Sequence, residues 1–270
     1  MIRSSFLSLS LLALAGQAHA IDGFSLGVGV DYSSGDYGGD TTTDILSIPL
    51  SARIDSGNLS LRASLPWLHV SGDPNVLPTT GRVNNLNPIG RGRGGLVGIP
   101  GGGADQPAER GSTSGIGDLS LAAIYSIPTG GALGVDLAFN AKIATADEDK
   151  SLGTGANDYG VAVDLYRDFD GTMLFGGAGY TQLGDSDYIE VDSVLSGNFG
   201  VGWRAGSRGR LGLMYDYREA ASSNFDDRSD LTGFFSAPAR SGGRFQLYVS
   251  KGLSDGSPDW GAGASFLQSF

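Results

Sequence analysis

The chain has no cysteine in its 270 residues. Disulfides, thiolate chemistry and cysteine-held metals are therefore excluded. Histidine is nearly absent, with two in the whole chain, so any histidine-dependent chemistry is confined to His19 or His69. Charge is sparse at 17%, and the basic side is the poorer one: 18 Lys and Arg stand against 29 Asp and Glu, for a net charge of -11. That balance argues against a nucleic-acid partner, whose phosphates require a basic surface. Long apolar runs are missing as well. Beyond the N-terminal stretch no segment approaches the roughly 20 apolar residues of a membrane-spanning helix. The mean hydropathy of -0.05 suits a soluble protein equally well, but averages of this kind also hide strands that alternate lipid-facing and lumen-facing residues.

The first residues carry the order of a secretory signal. Arg3 is the positive start, Phe6 to Ala15 form a short apolar stretch, and Ala18-His19-Ala20 is a small-x-small cleavage pattern. Residues 1–20 are therefore expected to be removed, leaving a mature chain from Ile21. As a membrane anchor the apolar stretch is too short.

What the chain has in abundance is glycine, 45 residues, well above the usual share of about 7%. Glycine weakens helices by about 1 kcal/mol relative to alanine, whereas small residues suit the crowded inner side of a closed barrel. The rest of the pattern has period two. Phe24, Leu26, Val28, Val30 and Tyr32 share a face opposed by Ser25, Gly27, Gly29 and Asp31. Leu46 to Ile54 alternate with Ser47, Pro49, Ser51 and Arg53, and after the turn Asp55-Ser56-Gly57-Asn58 the alternation resumes at Leu59 and continues to Trp67. Similar segments start near Asp118, Val135, Tyr159, Ile189, Arg210 and Arg244, weaker ones cover Thr172–Thr181 and about Arg228–Pro238, and a last one runs from about Asp259 to Phe270. This predicts one all-β domain over residues 21–270: a transmembrane antiparallel outer-membrane β-barrel of about 12 strands. Short turns alternate with longer connections, as periplasmic turns alternate with extracellular loops in such barrels. The longest, His69 to Gly115, is a glycine-rich extracellular loop. The terminal Phe270 resembles the signal read by the outer-membrane assembly machinery, which favours the barrel over a periplasmic β-sandwich.

Several short blocks resemble the outer-membrane family known as MetA-pathway of phenol degradation, or simply transporter. They are Ser64-Leu65-Pro66-Trp67, Gly115-Ile116-Gly117-Asp118-Leu119-Ser120-Leu121, Ile127-Pro128-Thr129-Gly130, Leu152-Gly153-Thr154-Gly155 and Lys251-Gly252-Leu253-Ser254-Asp255-Gly256-Ser257-Pro258-Asp259-Trp260-Gly261. The resemblance implies a barrel of this family and passage of small, including aromatic, solutes; outer-membrane lipid is the partner expected of the barrel itself, and lipopolysaccharide that of its long loop where the loop stays on the surface. The resemblance carries over no binding residues.

Parity along the strands supplies the candidate site. An arginine or lysine facing lipid at the midplane costs about 2–4 kcal/mol, so the charged set is expected inside. As pore-lining candidates it comprises Arg53, Arg62, Asp118, Asp136, Asn140, Lys142, Asp164, Glu190, Asp192, Asn198, Arg204, Arg210, Asp216, Arg218, Arg244 and Gln246. Two readings stay open: a polar pathway that selects solutes by size and sign, or paired charges that close a structural or surface-interaction barrel. The long loop adds Arg82, Arg91, Arg93 and Arg110 as a candidate constriction, with a surface loop as the alternative. Asp147-Glu148-Asp149 lacks the alternating spacing of a calcium loop and reads as a solvated charge cluster. Gly27 and Gly29 lie within a strand and precede no helix, so they cradle no phosphate. A lipid hydrolase is the third reading, carried by the outward parity shared by His69 and Ser71, with a polar rim residue as the plainer account of His69. No catalytic residue, cofactor or metal is assigned.

Overall fold

The structure, a computed structural model, describes residues 22–37, 41–72, 76, 111–185, 192–221, 226–239 and 242–270. The signal-like segment lies outside them. Thirteen strand segments follow one another: β1 (Gly23–Gly35), β2 (Thr43–Ser56), β3 (Leu59–Gly72), β4 (Gly111–Ile116), β5 (Leu119–Ile127), β6 (Leu133–Ile143), β7 (Asp158–Phe169), β8 (Thr172–Gln182), β9 (Val194–Ala205), β10 (Gly209–Arg218), β11 (Arg228–Pro238), β12 (Gly243–Gly252) and β13 (Trp260–Ser269). Every pairing is antiparallel between chain neighbours, and β1 closes the ring on β13 from Ser25↔Ser269 to Ser34↔Trp260. β4 and β5 pair with opposite ends of β3, so they form a single stave and the barrel has 12 strands.

Between β4 and β5 the ladder gains one residue: Trp67 faces Ile116, while Ser64 faces Ser120. This is a bulge in the sense of an extra residue on one strand. The Gly117 N–H spans the break by donating to the Pro66 carbonyl at 2.9 Å. The glycine-rich excursion is accordingly shorter than the expected 69–115. His69 to Gly72 pair with Gly111 to Ser114, leaving 73–110 between the paired ends.

The tight reversals lie on one end, where Gly57 (φ +55°) and Gly206 (φ +66°) adopt the left-handed conformation that hairpin turns require. The start of β1 and the end of β13 meet at this end: Phe24 and Phe270 stack with centroids 6.1 Å apart, and the Phe270 N–H donates to the Phe24 carbonyl at 2.9 Å.

Burial alternates along the staves in an unusual sense, because the exposed residues are the apolar ones. Leu26, Val28, Leu50, Phe139, Val161, Phe199 and Val249 are exposed, while Ser64, Ser120, Asp164, Asp216, Thr232 and Ser236 are buried. A soluble monomer rarely exposes so continuous an apolar surface. An outer face of this kind has the chemistry of the lipid-facing side of membrane barrels.

Inside, aromatic rings lie flat over glycines of the next strand. A Cβ added to Gly134 would run into the Tyr166 ring, one on Gly200 into Phe175, one on Gly212 into Phe234 and one on Gly263 into Tyr248. Phe175 and Phe234 lean towards each other across β9 and β10, with ring centroids 6.3 Å apart. The glycines are the empty halves of these joints, which accounts for much of their abundance in the strands. Gly212→Val is therefore expected to destabilise the barrel by about 1–3 kcal/mol through overpacking. Adding Phe234→Ala to Gly212→Val should recover part of that loss, read as non-additivity in urea unfolding of the refolded barrel.

Candidate functional site

The barrel interior gathers most of the polar chemistry, and the register places its charges. Asp136 faces Asp164 across β6 and β7, and Asn198 faces Asp216, which faces Asp230, across β9 to β11. Gly177 links the two groups in the same row through Asp164 and Asn198. The result is an acidic row across six adjacent strands. Arginines form rows as well: Arg53 faces Arg62, Arg204 faces Arg210 and Arg218 faces Arg228. Asn140, Gln246 and Arg244 share the interior parity, opposite Ala122, Ser236 and Pro238.

Two ion pairs link neighbours along a strand, and others link different strands. Arg53 Nε lies 2.8 Å from Asp55 and Arg228 Nε 2.6 Å from Asp230, whose carboxylate is only 1% exposed. Arg210 reaches Asp168 at 3.1 Å near the turn end. The Arg244 guanidinium donates to the Ser236 hydroxyl at 3.2 Å, and the Ser126 hydroxyl to Asp136 at 2.8 Å.

Below the acidic row the interior turns apolar. Met173, Phe175 and Phe234 form a buried cluster against which Tyr166, Met214 and Tyr248 pack. The Tyr248 hydroxyl donates to Asp31, tying β12 to β1. Thioethers and ring faces make this sector a soft, polarisable wall rather than a water-like one.

The opposite end of the barrel is shaped by the segment joining β6 to β7. Lys142, 5% exposed, places its ammonium 3.0 Å from Asp158 and 3.6 Å from Asp118 and donates to the Thr154 hydroxyl at 2.8 Å. Leu152 is wholly buried and packs on Leu68 and Val70, with Ile45 and Ala146 around them. Two blocks far apart in sequence, Gly115–Leu121 and Leu152–Gly155, thus meet. A Cβ on Gly115 would lie 2.6 Å from Leu152, and one on Gly153 would lie 3.0 Å from Asp118. Asp147, Glu148 and Asp149 stay exposed on a short 3-10 turn, and among the described residues no group of acids and histidines is placed to hold a metal ion.

Asp192 does not fit the parity expectation. The strand begins at Val194 rather than near Ile189, so Asp192 precedes the ladder. It is exposed, and its N–H donates to the Ala221 carbonyl at 2.7 Å. Glu190, Arg82, Arg91, Arg93 and Arg110 lie outside the described residues. The interior also holds groups absent from the candidate set: Asp31, which alternation places on the inner face, together with Asp158, Arg228, Asp230 and the apolar cluster. Met173-Leu174-Phe175 and Phe234-Phe235 are unbroken apolar runs that conceal which member faces inward. Asp158 sits at the first position of its strand, where the sequence reading assigns it to the preceding loop, and Arg228 opens one of the weaker segments.

On the outer face, His69 shares a hydrogen bond of 2.7 Å between Nδ1 and the Ser114 hydroxyl, opposite it on β4. Its ring stacks on Trp67 at 6.4 Å. Ser71 lies one step further along, opposite Ser112.

Among solved structures, the chain is similar to the KdgM porin (12% identity, 91% of this chain and 99% of that one covered, TM-score 0.50). It is also similar to the CymD monoaromatic hydrocarbon channel (12% identity, 93% and 89% covered, TM-score 0.46), and to the toluene transporter TbuX of Ralstonia pickettii (11% identity, 92% and 89% covered, TM-score 0.42). The first of these likenesses is one of fold. No curated protein matches the chain. The family model that matches is not the phenol-degradation family suggested by the short blocks. It covers residues 97–252, more than half of the sequence, and on that match the chain belongs to the family described as "Protein of unknown function (DUF3187)".

Proposed function

We propose that the protein sits in the bacterial outer membrane and lets small solutes with aromatic or otherwise apolar bodies pass through the barrel without energy coupling. The observation that carries this reading is the soft interior wall of Met173, Phe175, Met214 and Phe234 beneath a charged row. Rings offer a passing aromatic solute stacking of about 0.5–1.5 kcal/mol per contact, enough to favour entry and weak enough to permit release. The resemblance of the short blocks to the phenol-degradation transporter family points the same way. The signal-like N-terminus and the terminal Phe270 support export and delivery by the assembly machinery. The apolar outer face supports contact with membrane lipid, and with lipopolysaccharide at the rim.

The test is uptake by liposomes holding the refolded mature chain, comparing phenol-like, sugar and amino-acid probes of similar size. Phenol-like probes are expected to enter fastest. Phe175→Ala with Phe234→Ala should slow them roughly five-fold, the equivalent of about 1 kcal/mol, while sugar entry changes little. Equal ranking of the probes, or no effect of the pair, would remove the aromatic preference.

The second reading, a structural barrel with a closed lumen, is favoured by one observation: the acidic row is almost fully buried, with Asp164, Asp216 and Asp230 each 1% exposed. It is separated from the first by uptake itself. Under both readings, Arg228→Ala leaves the buried Asp230 carboxylate without its 2.6 Å cation. The expected cost is about 3–5 kcal/mol, read as a lowered urea midpoint of the refolded barrel.

A further inference from the structure

We infer that segment 144–157, clamped inside the mouth of the barrel by Lys142, sets the size limit for passage. The inference rests on the passage reading above and identifies the element that would restrict it. The segment joins β6 to β7, yet Leu152 seats against Leu68 and Val70 of β3 and beside Gly115 of β4. Those positions have interior parity: Leu68 faces Ser47 and Gly115, and Val70 faces Ile45 and Thr113. To reach them the segment must cross in front of β4 on the luminal side. It is folded into the mouth instead of standing away from it.

The chemistry of the clamp fits that position. A backbone carried inside must have its polar groups satisfied by protein; Asp118 does this for the segment and Asp158 for the neighbouring β8–β9 connection, with one oxygen each. Asp118 Oδ1 accepts the N–H groups of Thr145 and Ala146, both at 3.0 Å, and Asp158 Oδ1 accepts that of Gly184 at 3.1 Å. Their other oxygens face the Lys142 ammonium. Asn157 closes the neck by accepting the Ala144 N–H at 2.8 Å. The segment is two-sided. Leu152, Thr154 and Ala156 are buried, while Asp147 to Lys150 remain in solvent. A loop that only covered the surface would need neither the buried lysine nor the apolar seat.

Two variants of the full mature chain test this without touching the aromatic wall. Lys142→Met removes the clamp's charge at similar volume, and Leu152→Asn removes the seat while leaving the ions in place. Heat-modifiable migration on gels confirms that each has folded. Amide exchange over 145–156 is expected to rise at least about ten-fold in both. In liposome swelling with neutral sugars of increasing size, trisaccharide entry should rise roughly five-fold or more, with monosaccharide entry within about two-fold of the original. A protected segment in both folded variants would overturn the clamp. A loosened segment with an unchanged size limit would overturn its role in passage. A wild-type barrel that is tight to every probe but opened by either variant would support the inference. If no probe enters the wild type or either variant, the passage reading itself fails, and the exchange data still report separately on the clamp.

Discussion

Closure of the backbone ladder is the constraint from which the rest follows. In hydrocarbon an unpaired peptide group costs several kcal/mol, so a sheet can cross a membrane only if it has no edge. Here the final stave returns to the first, from Ser25↔Ser269 to Ser34↔Trp260, and the terminal residues lock the seam through Phe24 and Phe270. Once the ring is closed the strands have two unlike sides. The outer side can be apolar throughout. The inner side must accommodate everything polar together with whatever bulk the radius leaves room for.

That crowding explains the glycines better than flexibility does. Gly134, Gly200, Gly212 and Gly263 each lie under a ring from a neighbouring stave. In each case a large side chain borrows the volume that its cross-strand partner gives up. Packing is thus shared between adjacent positions of the register, and Phe175 and Phe234 can approach each other over a floor made of two glycine-bearing strands. The same economy operates at the mouth, where Gly115 and Gly153 leave space for Leu152 and Asp118.

Much of this was legible beforehand. Strands with one clean apolar face, such as Phe24 to Tyr32, were visible through period-two alternation because lipid imposes a single chemistry on that face. Even the weaker segments Thr172–Thr181 and Arg228–Pro238 correspond to β8 and β11. Alternation failed where the interior is itself apolar. Leu68 and Val70 face inward onto Leu152, so the pattern after Trp67 looked broken and β3 appeared to end there, although it continues to Gly72. The apolar wall was missed for the same reason at Met173 to Phe175. The mouth clamp was invisible because its members, Asp118, Lys142, Thr154 and Asp158, are brought together only by the fold. The charge cluster Asp147 to Asp149 drew attention within that segment, while Leu152 three residues further on holds the structural role.

The arrangement of charge carries a physical consequence. Like charges directly opposite one another on adjacent strands are destabilising, yet Asp136 faces Asp164, Asp216 faces Asp230 and three arginine pairs face each other. Stability is recovered along the strand, two residues away, as in Arg53 with Asp55 and Arg228 with Asp230. Where pairing does run across strands, as for Lys142 facing Asp158 at the mouth, opposite signs share one height. Pairing along strands instead produces bands of one sign stacked along the wall. The field along the barrel axis therefore changes with depth, and a low-dielectric wall keeps it from being screened as it would be in bulk water. The like-charge contacts across strands thus leave the interior with an axial pattern of charge.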